Sequence, residues 1–353
     1  MAQRRILVEA DGAGLRAVLL VDGRLEAVEI DRGSIVGAVI SAKIIHTVAG
    51  LGTFVGLTDG TEFLLDRGGD KSPLPSGRDM VVQIAKPQRG GKVGIATAKI
   101  SLTGRGVVHL PLESGIKFSR RLTIAPERRT AIEAFLAGLR GGWIVRRGAS
   151  ELNFEELGVE ARALADEGRQ AHAGGVAQPN AFRRLISDYG ADAILASGLA
   201  AKAAVERWCA MFAPNLAAKI ESQPAGAFDS HDLDEAIAAL GDRRVELPSG
   251  ASLFIEATEA LTAIDVNAGP EANMLGVNLA ATLEIARQLR LRHIGGIVVI
   301  DFISMPRRPD QTRVVEALKE ALAEDPSQTH VLPMSAFGLV EMTRERRGPG
   351  LEF

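Results

Sequence analysis

Residues 251–305 read ASLFIEATEALTAIDVNAGPEANMLGVNLAATLEIARQLRLRHIGGIVVIDFISM. Short runs of β-branched and other apolar residues predict two strands joined by a tight turn, and then a loop, a helix and a further strand. The run IVVI at 297–300 is apolar at every position, which is typical of a strand that is buried on both faces. Together with a second helix predicted over 310–323, this order indicates layered α/β packing.

An aspartate closes each of two predicted strands, since Asp265 follows LTAI and Asp301 follows GGIVVI. Carboxylates at strand ends lie at the rim of a sheet, where α/β folds usually place their chemistry. Mg²⁺ prefers oxygen ligands and is bound by one or two carboxylates, so these two could share one Mg²⁺ ion. Asn267 lies two residues beyond Asp265, and its amide is expected on the same side of the strand. The residues alone leave open that both acids form ordinary salt bridges.

The segment 278–292, between the two aspartates, has the apolar spacing of an amphipathic helix. We expect Leu279, Leu283, Ala286 and Leu289 to face the core. The helix is expected to stop at the following pair of glycines, after which the next strand returns Asp301 to the site.

The first hundred residues are predicted to be rich in strands. The pair Asp-Gly at 22–23 is a strong signal for a tight hairpin turn. Short β-branched runs with glycine at the turns then predict a small Greek-key barrel over 33–100. Such barrels bind single-stranded nucleic acid by stacking bases on aromatic side chains beside a basic groove, and Phe54, Phe63 and Lys92 are the candidates. The alternative is that both phenylalanines form the core and the lysine lies on the surface.

A basic segment follows the predicted barrel. Residues 86–147 carry thirteen Lys or Arg against three acids, although the net charge of the whole chain is −3. Such a patch is the usual electrostatic footprint of a polyanionic partner, and a solvated face balanced by acids elsewhere is the equal alternative. Arg146 and Arg147 follow the predicted strand at 143–145, and two guanidinium groups at a strand end suit a phosphate. A structural salt bridge is the alternative for these arginines.

The composition, 46% apolar and 24% charged residues in a chain of 353, indicates a folded protein with two or more domains. The start, MAQRRILVEADG, lacks the apolar core of a signal peptide, and no run of about eighteen apolar residues predicts a membrane span. A single cysteine, Cys209, excludes an intrachain disulfide and a thiolate metal cluster, and we expect it to be reduced and buried. These features predict a cytoplasmic protein.

Three C-terminal segments resemble the ribonuclease E/G family in long and ordered matches. They are EATEALTAIDVNAG at 256–269, NLAATLEIARQLRLRHIGGIVVIDFISM at 278–305 and SAFGLVEMTRERR at 335–347. Upstream, the stretches similar to the S1 RNA-binding barrel of that family are GSIVGAVISAKI at 33–44, GTFVGLTDGTEFLL at 52–65 and RGGKVGIATAKISLTGR at 89–105. GGWIVRRGA at 141–149 resembles the family's sensor for the RNA 5′ end.

The resemblance implies a Mg²⁺-dependent endoribonuclease of RNA processing and decay, including rRNA processing. Its partner would be single-stranded RNA, without specificity for DNA, and the products would carry 5′-phosphate and 3′-hydroxyl ends. On this basis Asp265 and Asp301 match the family's catalytic metal ligands, and Asn267 matches its supporting asparagine.

The RNA-binding residues follow from the same resemblance. Phe54, Phe63 and Lys92 match RNA contacts of the S1 barrel. Arg146 matches the arginine that binds a 5′-monophosphate, and Arg147 is the neighbouring position of that sensor.

The resemblance also implies an α/β (α+β) multidomain architecture. Residues 1–33 and 180–245 would form a discontinuous RNase H-like subdomain. An S1-like barrel at 34–100 and a 5′-sensor region at 101–179 would interrupt it. Residues 246–353 would form a DNase I-like catalytic subdomain.

The chain departs from the family pattern near the predicted site. Ala-Gly-Pro-Glu at 268–271 replaces the usual Ser-Gly and basic residue, and the loop that continues to Asn278 is short. Ser304 stands where an acid is usual, and Arg147 stands where threonine is usual. No Cys-Pro-x-Cys link follows the catalytic region, so we expect no zinc-linked assembly, whereas a homodimer stays open. An alternative function is therefore an RNA-binding regulatory protein with a decayed nuclease site.

Overall fold

The computed structural model describes residues 2–31, 33, 35–69, 72, 74–88, 92–172, 178–270 and 273–347. The chain divides into two compact units. The first is Met1–Gly23 with Glu29–Ala227, and the second is Arg24–Val28 with Phe228–Phe353. As the sequence predicts, the architecture is mixed α/β and includes a small closed barrel. In the described ranges, no helix combines the length and the apolar character that crossing a membrane requires.

The strands, in chain order, are β1 (Arg4–Ala10), β2 (Leu15–Val21), β3 (Arg24–Ile30), β4 (Val39–Val48), β5 (Gly52–Gly56), β6 (Glu62–Asp66), β7 (Asp79–Lys86), β8 (Gly94–Thr97), β9 (Leu102–Thr103), β10 (Val107–Leu110), β11 (Ile116–Phe118), β12 (Gly142–Val145), β13 (Ala193–Ser197), β14 (Ile220–Gln223), β15 (Arg244–Glu246), β16 (Ser252–Ala257), β17 (Thr262–Asn267), β18 (Gly296–Asp301), β19 (Thr329–Val331) and β20 (Leu339–Arg344). The α-helices are α1 (Pro126–Ala137), α2 (Phe154–His172), α3 (Ala181–Tyr189), α4 (Gly198–Phe212), α5 (Ala227–Ser230), α6 (Leu233–Ala238), α7 (Met274–Leu291) and α8 (Arg308–Ala321).

One sheet of the first unit contains β14, β13, β1 and β2 side by side in that order. β13 runs parallel to β1 and β14, whereas β2 is antiparallel to β1. Asp22 and Gly23, which follow β2, have positive φ values of 49° and 83°, so the tight turn predicted there is confirmed. α3 and α4 pack against this sheet. On α4, Cys209 is buried as expected, and burial together with Glu206 raises the pKa of its thiol to about 11.

The predicted small barrel is present and closed, with β4, β5, β6, β8 and β7 in that order. The ladder shifts register between Ile44 and His46 and again between Ile84 and Lys86. Such bulges increase local twist and help a short sheet to close on itself. The barrel interior is filled by apolar side chains, namely Ala42, Ile44, Val55, Phe63, Leu65, Val82, Ile84 and Ala96. Its assignment as an S1-like domain stays a prediction.

A third sheet of the first unit has the strand order β11, β12, β10 and β9, and α2 packs against β10. His109 on β10 is buried and stacks on Trp143 of β12, with 4.4 Å between the ring centroids. Glu160 on α2 accepts hydrogen bonds from the backbone amides of Arg105, Gly106 and Val107. Burial raises the pKa of Glu160, although these three amides act in the opposite direction. The carboxyl group therefore ties α2 to the loop between β9 and β10.

The second unit is built on one six-stranded sheet with the order β15, β16, β17, β18, β20 and β19. β17 and β18 are parallel, and the remaining neighbours are antiparallel. In β17 buried and exposed residues alternate strictly, which is the pattern of a sheet with one covered face. Side chains of α7 and α8 join the buried residues of these strands in one core cluster. The opposite face of the sheet is open.

The prediction that the run at 297–300 is buried on both faces is wrong. Val298 and Ile300 lie in the core, but Ile297 is 51% exposed and Val299 is only half-buried. The reason is that α7 and α8 cover the same face of the sheet. An unbroken apolar run cannot by itself distinguish a strand covered on two faces from one with an apolar open face.

The helix predicted at 278–292 is confirmed, although it begins earlier, at Met274, where the side chain of Asn273 caps it. Its predicted inward face is partly wrong, because Leu283 is 65% exposed. Glu284 is buried instead and accepts hydrogen bonds from Arg24, Arg287 and Gln288. These donors satisfy a carboxylate at an inward position, which apolar spacing alone does not reveal.

Candidate active site

Asp265 and Asp301 lie directly opposite each other on neighbouring strands. β17 and β18 are parallel, and Asp265 is the register partner of Asp301. Register partners in a sheet project from the same face, with backbones about 5 Å apart. Both residues are exposed, on the face that α7 and α8 leave open. The fold thus brings the two predicted carboxylates together near the carboxyl ends of their strands.

Asn267 joins this pair from the end of β17. Its Nδ2 donates a hydrogen bond to Oδ2 of Asp265 over 2.8 Å. The two side chains share the exposed face because they are two residues apart in a strand. Asn267 therefore fixes the orientation of one carboxylate and leaves the other oxygen, Oδ1 of Asp265, for a further ligand.

The alternative of ordinary salt bridges is not observed. In the part of the chain that the structure describes, neither Asp265 nor Asp301 takes part in an ion pair. The arginines of the neighbouring strands are engaged elsewhere, with Arg243 on Glu256 and Arg244 on Glu246. Two uncompensated carboxylates on adjacent strands repel each other, and a cation between them removes that repulsion.

The donor set fits a magnesium ion. Among the described residues, no group of three or more His, Cys, Asp or Glu is placed to hold a metal, so Asp265 and Asp301 stand as a pair and not within a larger cluster of such side chains. Mg²⁺ is commonly bound by one or two carboxylates and completes its shell with water and phosphate oxygens. Zinc would instead require a nitrogen- or sulfur-rich set of ligands, which this pair does not offer.

The barrel candidates differ in their exposure. The ring of Phe63 is only 2% exposed and belongs to the barrel core, packed beside Gly94. Phe54 is 7% exposed, and its ring stacks on that of His46 with 4.9 Å between the centroids. Lys92 is exposed. The burial of both phenylalanine rings favours the core role that the sequence left open, so their contact with RNA stays a prediction.

Arg146 follows β12 and is held by protein groups. Its Nη1 donates to the carbonyl oxygens of Gly104 and Ser187 over 2.5 and 2.7 Å, and its Nη2 donates to Asp188 over 2.8 Å. This is the structural salt bridge that the sequence offered as the alternative. Arg147 begins the short 3₁₀ helix at Arg147–Ser150. A 5′-phosphate at these arginines stays a prediction, and at Arg146 it would compete with Asp188.

Comparison with known proteins places these features in a family. A model of the ribonuclease E/G family matches residues 101–347, which is more than half of the chain and includes both aspartates. The chain belongs to the ribonuclease E/G family. The members it resembles include ribonuclease G of Escherichia coli strain K12, with 33% identity over 301 residues. Ribonuclease E of the same strain is 34% identical over 310 residues, and ribonuclease E of Nostoc is 33% identical over 298 residues.

The matches cover most of this chain but only part of each relative. The alignment with ribonuclease G covers 78% of this chain and 61% of the relative. The alignments with the two ribonucleases E cover 80% and 77% of this chain, and 29% and 43% of the relatives. The chain thus spans less than two thirds of the length of each of these relatives.

Asn278 is a residue of the site that sequence reasoning missed. It lies on α7, is fully buried, and binds the loop that follows Asp301. Its Nδ2 donates to the carbonyl oxygen of Ile303 over 2.8 Å, and its Oδ1 accepts from the amide of Ile303 over 3.1 Å. A signal was available, because an asparagine on the buried side of an apolar helix must find partners.

Among the positions that depart from the family pattern, residues 268–271 and Ser304 follow the two aspartates in the chain, whereas Arg147 belongs to the first unit. Ser304, next to Ile303, is exposed. Residues 268–270 continue from β17, whereas Glu271 lies outside the described residues. Both aspartates are present in this member of the ribonuclease E/G family.

Proposed function

We propose that this chain is a Mg²⁺-dependent endoribonuclease that cuts single-stranded RNA in RNA processing or decay. The observation that supports this most directly is the register of Asp265 and Asp301 on the open face of a sheet, without ion-pair partners among the described residues. The relatives named ribonuclease G and ribonuclease E support the same class of substrate.

The chemistry would be hydrolysis of a phosphodiester. Asp265 and Asp301 would hold Mg²⁺, which when bound supplies positive charge to the phosphoryl oxygens and activates a water molecule. Asn267 would keep the Asp265 carboxylate in one orientation through its 2.8 Å hydrogen bond. Asn278 would hold the chain beyond Asp301 in place, so that the second carboxylate also meets the substrate in a fixed position. The products would carry 5′-phosphate and 3′-hydroxyl ends.

The charge of the open face supports a requirement for a cation. Besides the two aspartates, Glu341 on the flanking strand β20 is exposed, whereas the exposed Glu256 on β16 is paired with Arg243. A face with this excess of negative charge repels the phosphates of RNA unless a cation is bound. Affinity for RNA without Mg²⁺ would then depend on the basic segment 86–147, which includes Lys92 of the barrel.

The test is incubation of a labelled single-stranded RNA with the whole chain, with and without Mg²⁺. We expect cleavage with Mg²⁺ and none with a chelator. Asp265→Asn and Asp301→Asn should each abolish cleavage while RNA binding and thermal unfolding stay close to those of the wild type. Glu320→Gln, an exposed acid on α8, is the control and should cut at the wild-type rate. Full activity of Asp301→Asn would contradict the proposal.

The second candidate is an RNA-binding protein with a decayed nuclease site, which the changed residues at 268–271 and Ser304 favour. It predicts retention of RNA that weakens steeply with salt and shows no Mg²⁺-dependent cutting. The same incubation therefore separates the two functions. Sedimentation of the protein alone would decide whether it forms a homodimer.

A further inference from the structure

A row of register partners crosses the open face of the second unit's sheet. Asp301 pairs with Asp265, Asp265 pairs with Phe254 on β16, and Phe254 pairs with Arg244 on β15. Because register partners project from one face, the aromatic ring, the arginine and both carboxylates lie on the same side. Neighbouring strands are about 5 Å apart, so Phe254 lies one strand away from the carboxylate pair and Arg244 lies two strands away.

Phe254 is exposed where burial would be expected. Its side chain is 37% exposed, on the face opposite to the one that α7 and α8 cover. The residues that precede and follow it, Leu253 and Ile255, point into the core. Phe254 therefore contributes its ring to the surface and not to the packing beneath α7 and α8.

Arg244 lies over this ring. The central carbon of its guanidinium is 5.8 Å from the centroid of Phe254, and its Nε is held by Glu246 over 2.7 Å. A cation near an aromatic face at this distance is attracted by the ring quadrupole. The ion pair with Glu246 restricts Arg244, and Arg244 in turn restricts the Phe254 ring beside the two aspartates.

We propose that Phe254 is a base-stacking subsite for the nucleotide that flanks the scissile phosphate. This inference rests on the proposed nuclease function and adds to it a positioning group of this chain. A phosphate held at Asp265 and Asp301 through the proposed cation would place the adjoining nucleotide within one strand spacing, which is where the Phe254 ring lies. Stacking requires only the π-face of a base, so this subsite would accept all four bases.

The test combines a change in the protein with a change in the RNA. Single-turnover cleavage is measured for an oligoribonucleotide with one cut site, intact or with an abasic nucleotide on either side of the cut bond. For the wild type, we expect the abasic change at one of these positions to slow cleavage about tenfold, from the loss of one stacked base. Phe254→Leu, which keeps an apolar side chain on the strand, should cut the intact RNA about tenfold more slowly and lose most of its sensitivity to the abasic change. Phe254→Tyr, which keeps the ring, should behave as the wild type.

A binding measurement separates failure of this inference from failure of the nuclease proposal. The same RNAs are titrated against Asp301→Asn with and without Phe254→Leu, which requires no cleavage. If Phe254→Leu weakens binding of the intact RNA but not binding of the abasic RNA, the result supports the subsite even if the wild type cuts nothing. The inference would be overturned if the abasic change weakened binding equally in both proteins. It would also be overturned if the wild type cuts RNA and Phe254→Leu cuts it at the same rate. Circular dichroism and urea unfolding of each variant show whether the fold is kept.

Discussion

The side-chain amide of Asn278 exchanges two hydrogen bonds with the backbone of Ile303, two residues after Asp301. The amide comes from α7, which packs beneath the sheet, and the backbone belongs to the loop at the end of β18. One buried side chain thus connects the covered side of the sheet with the segment that leaves the candidate site. The strand ladder restricts the chain that leads up to Asp301. The contact with Asn278 restricts the chain that follows it.

Asn278→Leu should impair both stability and catalysis. The leucine is close in volume but leaves the amide and carbonyl of Ile303 without these partners, which costs about 1–3 kcal/mol of unfolding free energy. We expect kcat to fall more than KM rises, because the loop acts on the placement of Asp301. Leu283→Ala on the exposed side of the same helix is the control and should leave both quantities near the wild-type values. An unchanged kcat for Asn278→Leu would show that the loop does not govern the carboxylate.

Asn267→Ala should raise the Mg²⁺ concentration that half-saturates cleavage. The variant loses the hydrogen bond that orients Asp265 but keeps both carboxylates. Loss of a group that orients a metal ligand typically weakens metal affinity by about 10–100-fold. The measurement is cleavage rate against Mg²⁺ concentration, with the rate at saturating Mg²⁺ as the internal control. The same Mg²⁺ midpoint in variant and wild type would mean that Asn267 does not act through Asp265.

The wild type should discriminate little between RNAs with a 5′-monophosphate and a 5′-hydroxyl end. The reason is that Asp188 and two carbonyl oxygens already engage the guanidinium of Arg146. Asp188→Asn removes the competing negative charge and should increase the preference for the monophosphorylated RNA several-fold, as measured by the ratio of kcat/KM values. A strong preference in the wild type, lost in Arg146→Ala and not increased in Asp188→Asn, would instead support the phosphate sensor implied by the family resemblance.

Glu9 should contribute stability that is lost in acid. Burial raises the pKa of this carboxyl group, but hydrogen bonds from Ser197, Arg16 and Gly226 outweigh burial and leave the pKa below its ordinary value. A group whose pKa is lower in the folded state stabilises the fold above its unfolded pKa, and this contribution disappears as the pH falls through the folded pKa.

Glu9→Gln should therefore lose less stability than the wild type on going from about pH 5 to pH 3, even if it is less stable at pH 7. Urea unfolding at each pH measures this difference. Glu221→Gln, an exposed acid on β14 of the same sheet, is the matched control and should follow the wild-type profile. Parallel profiles for Glu9→Gln and wild type would contradict the assignment.

Features that depend on a few neighbouring residues could be predicted from the sequence. The turn at 22–23 follows from the positive φ values that Asp-Gly tolerates, and the closed barrel follows from short strands with glycine between them. The strands that carry Asp265 and Asp301 follow from apolar runs, although β17 continues past Asp265 to Asn267, whereas β18 ends at Asp301 as predicted. In each case, the physical cause lies within about ten residues of the chain.

Features that depend on distant partners could not be predicted in this way. Glu284 is buried because Arg24, 260 residues away in the chain, is one of its hydrogen-bond donors. The ion-pair partner of Arg146, Asp188, is 42 residues away in the chain. β18 has an exposed face because α7 and α8 pack on the same side of the sheet. Composition and periodicity do not show which distant residues will contact each other, so the burial of Leu283 and of Ile297 was predicted wrongly.

Because Asp265 and Asp301 are register partners on β17 and β18, the backbone pairing of these strands sets the distance between the two residues. The run at 297–300 is apolar at both odd and even positions, so a slip of β18 by one residue would still bury apolar side chains. It would also turn Asp301 to the helix side and dismantle the site. Insertion or deletion of a single residue between Gly296 and Asp301 should therefore yield a folded protein in which Asp301 no longer lies beside Asp265. In this sheet, the alignment of β17 with β18 is as necessary to the proposed site as the identity of the two acids.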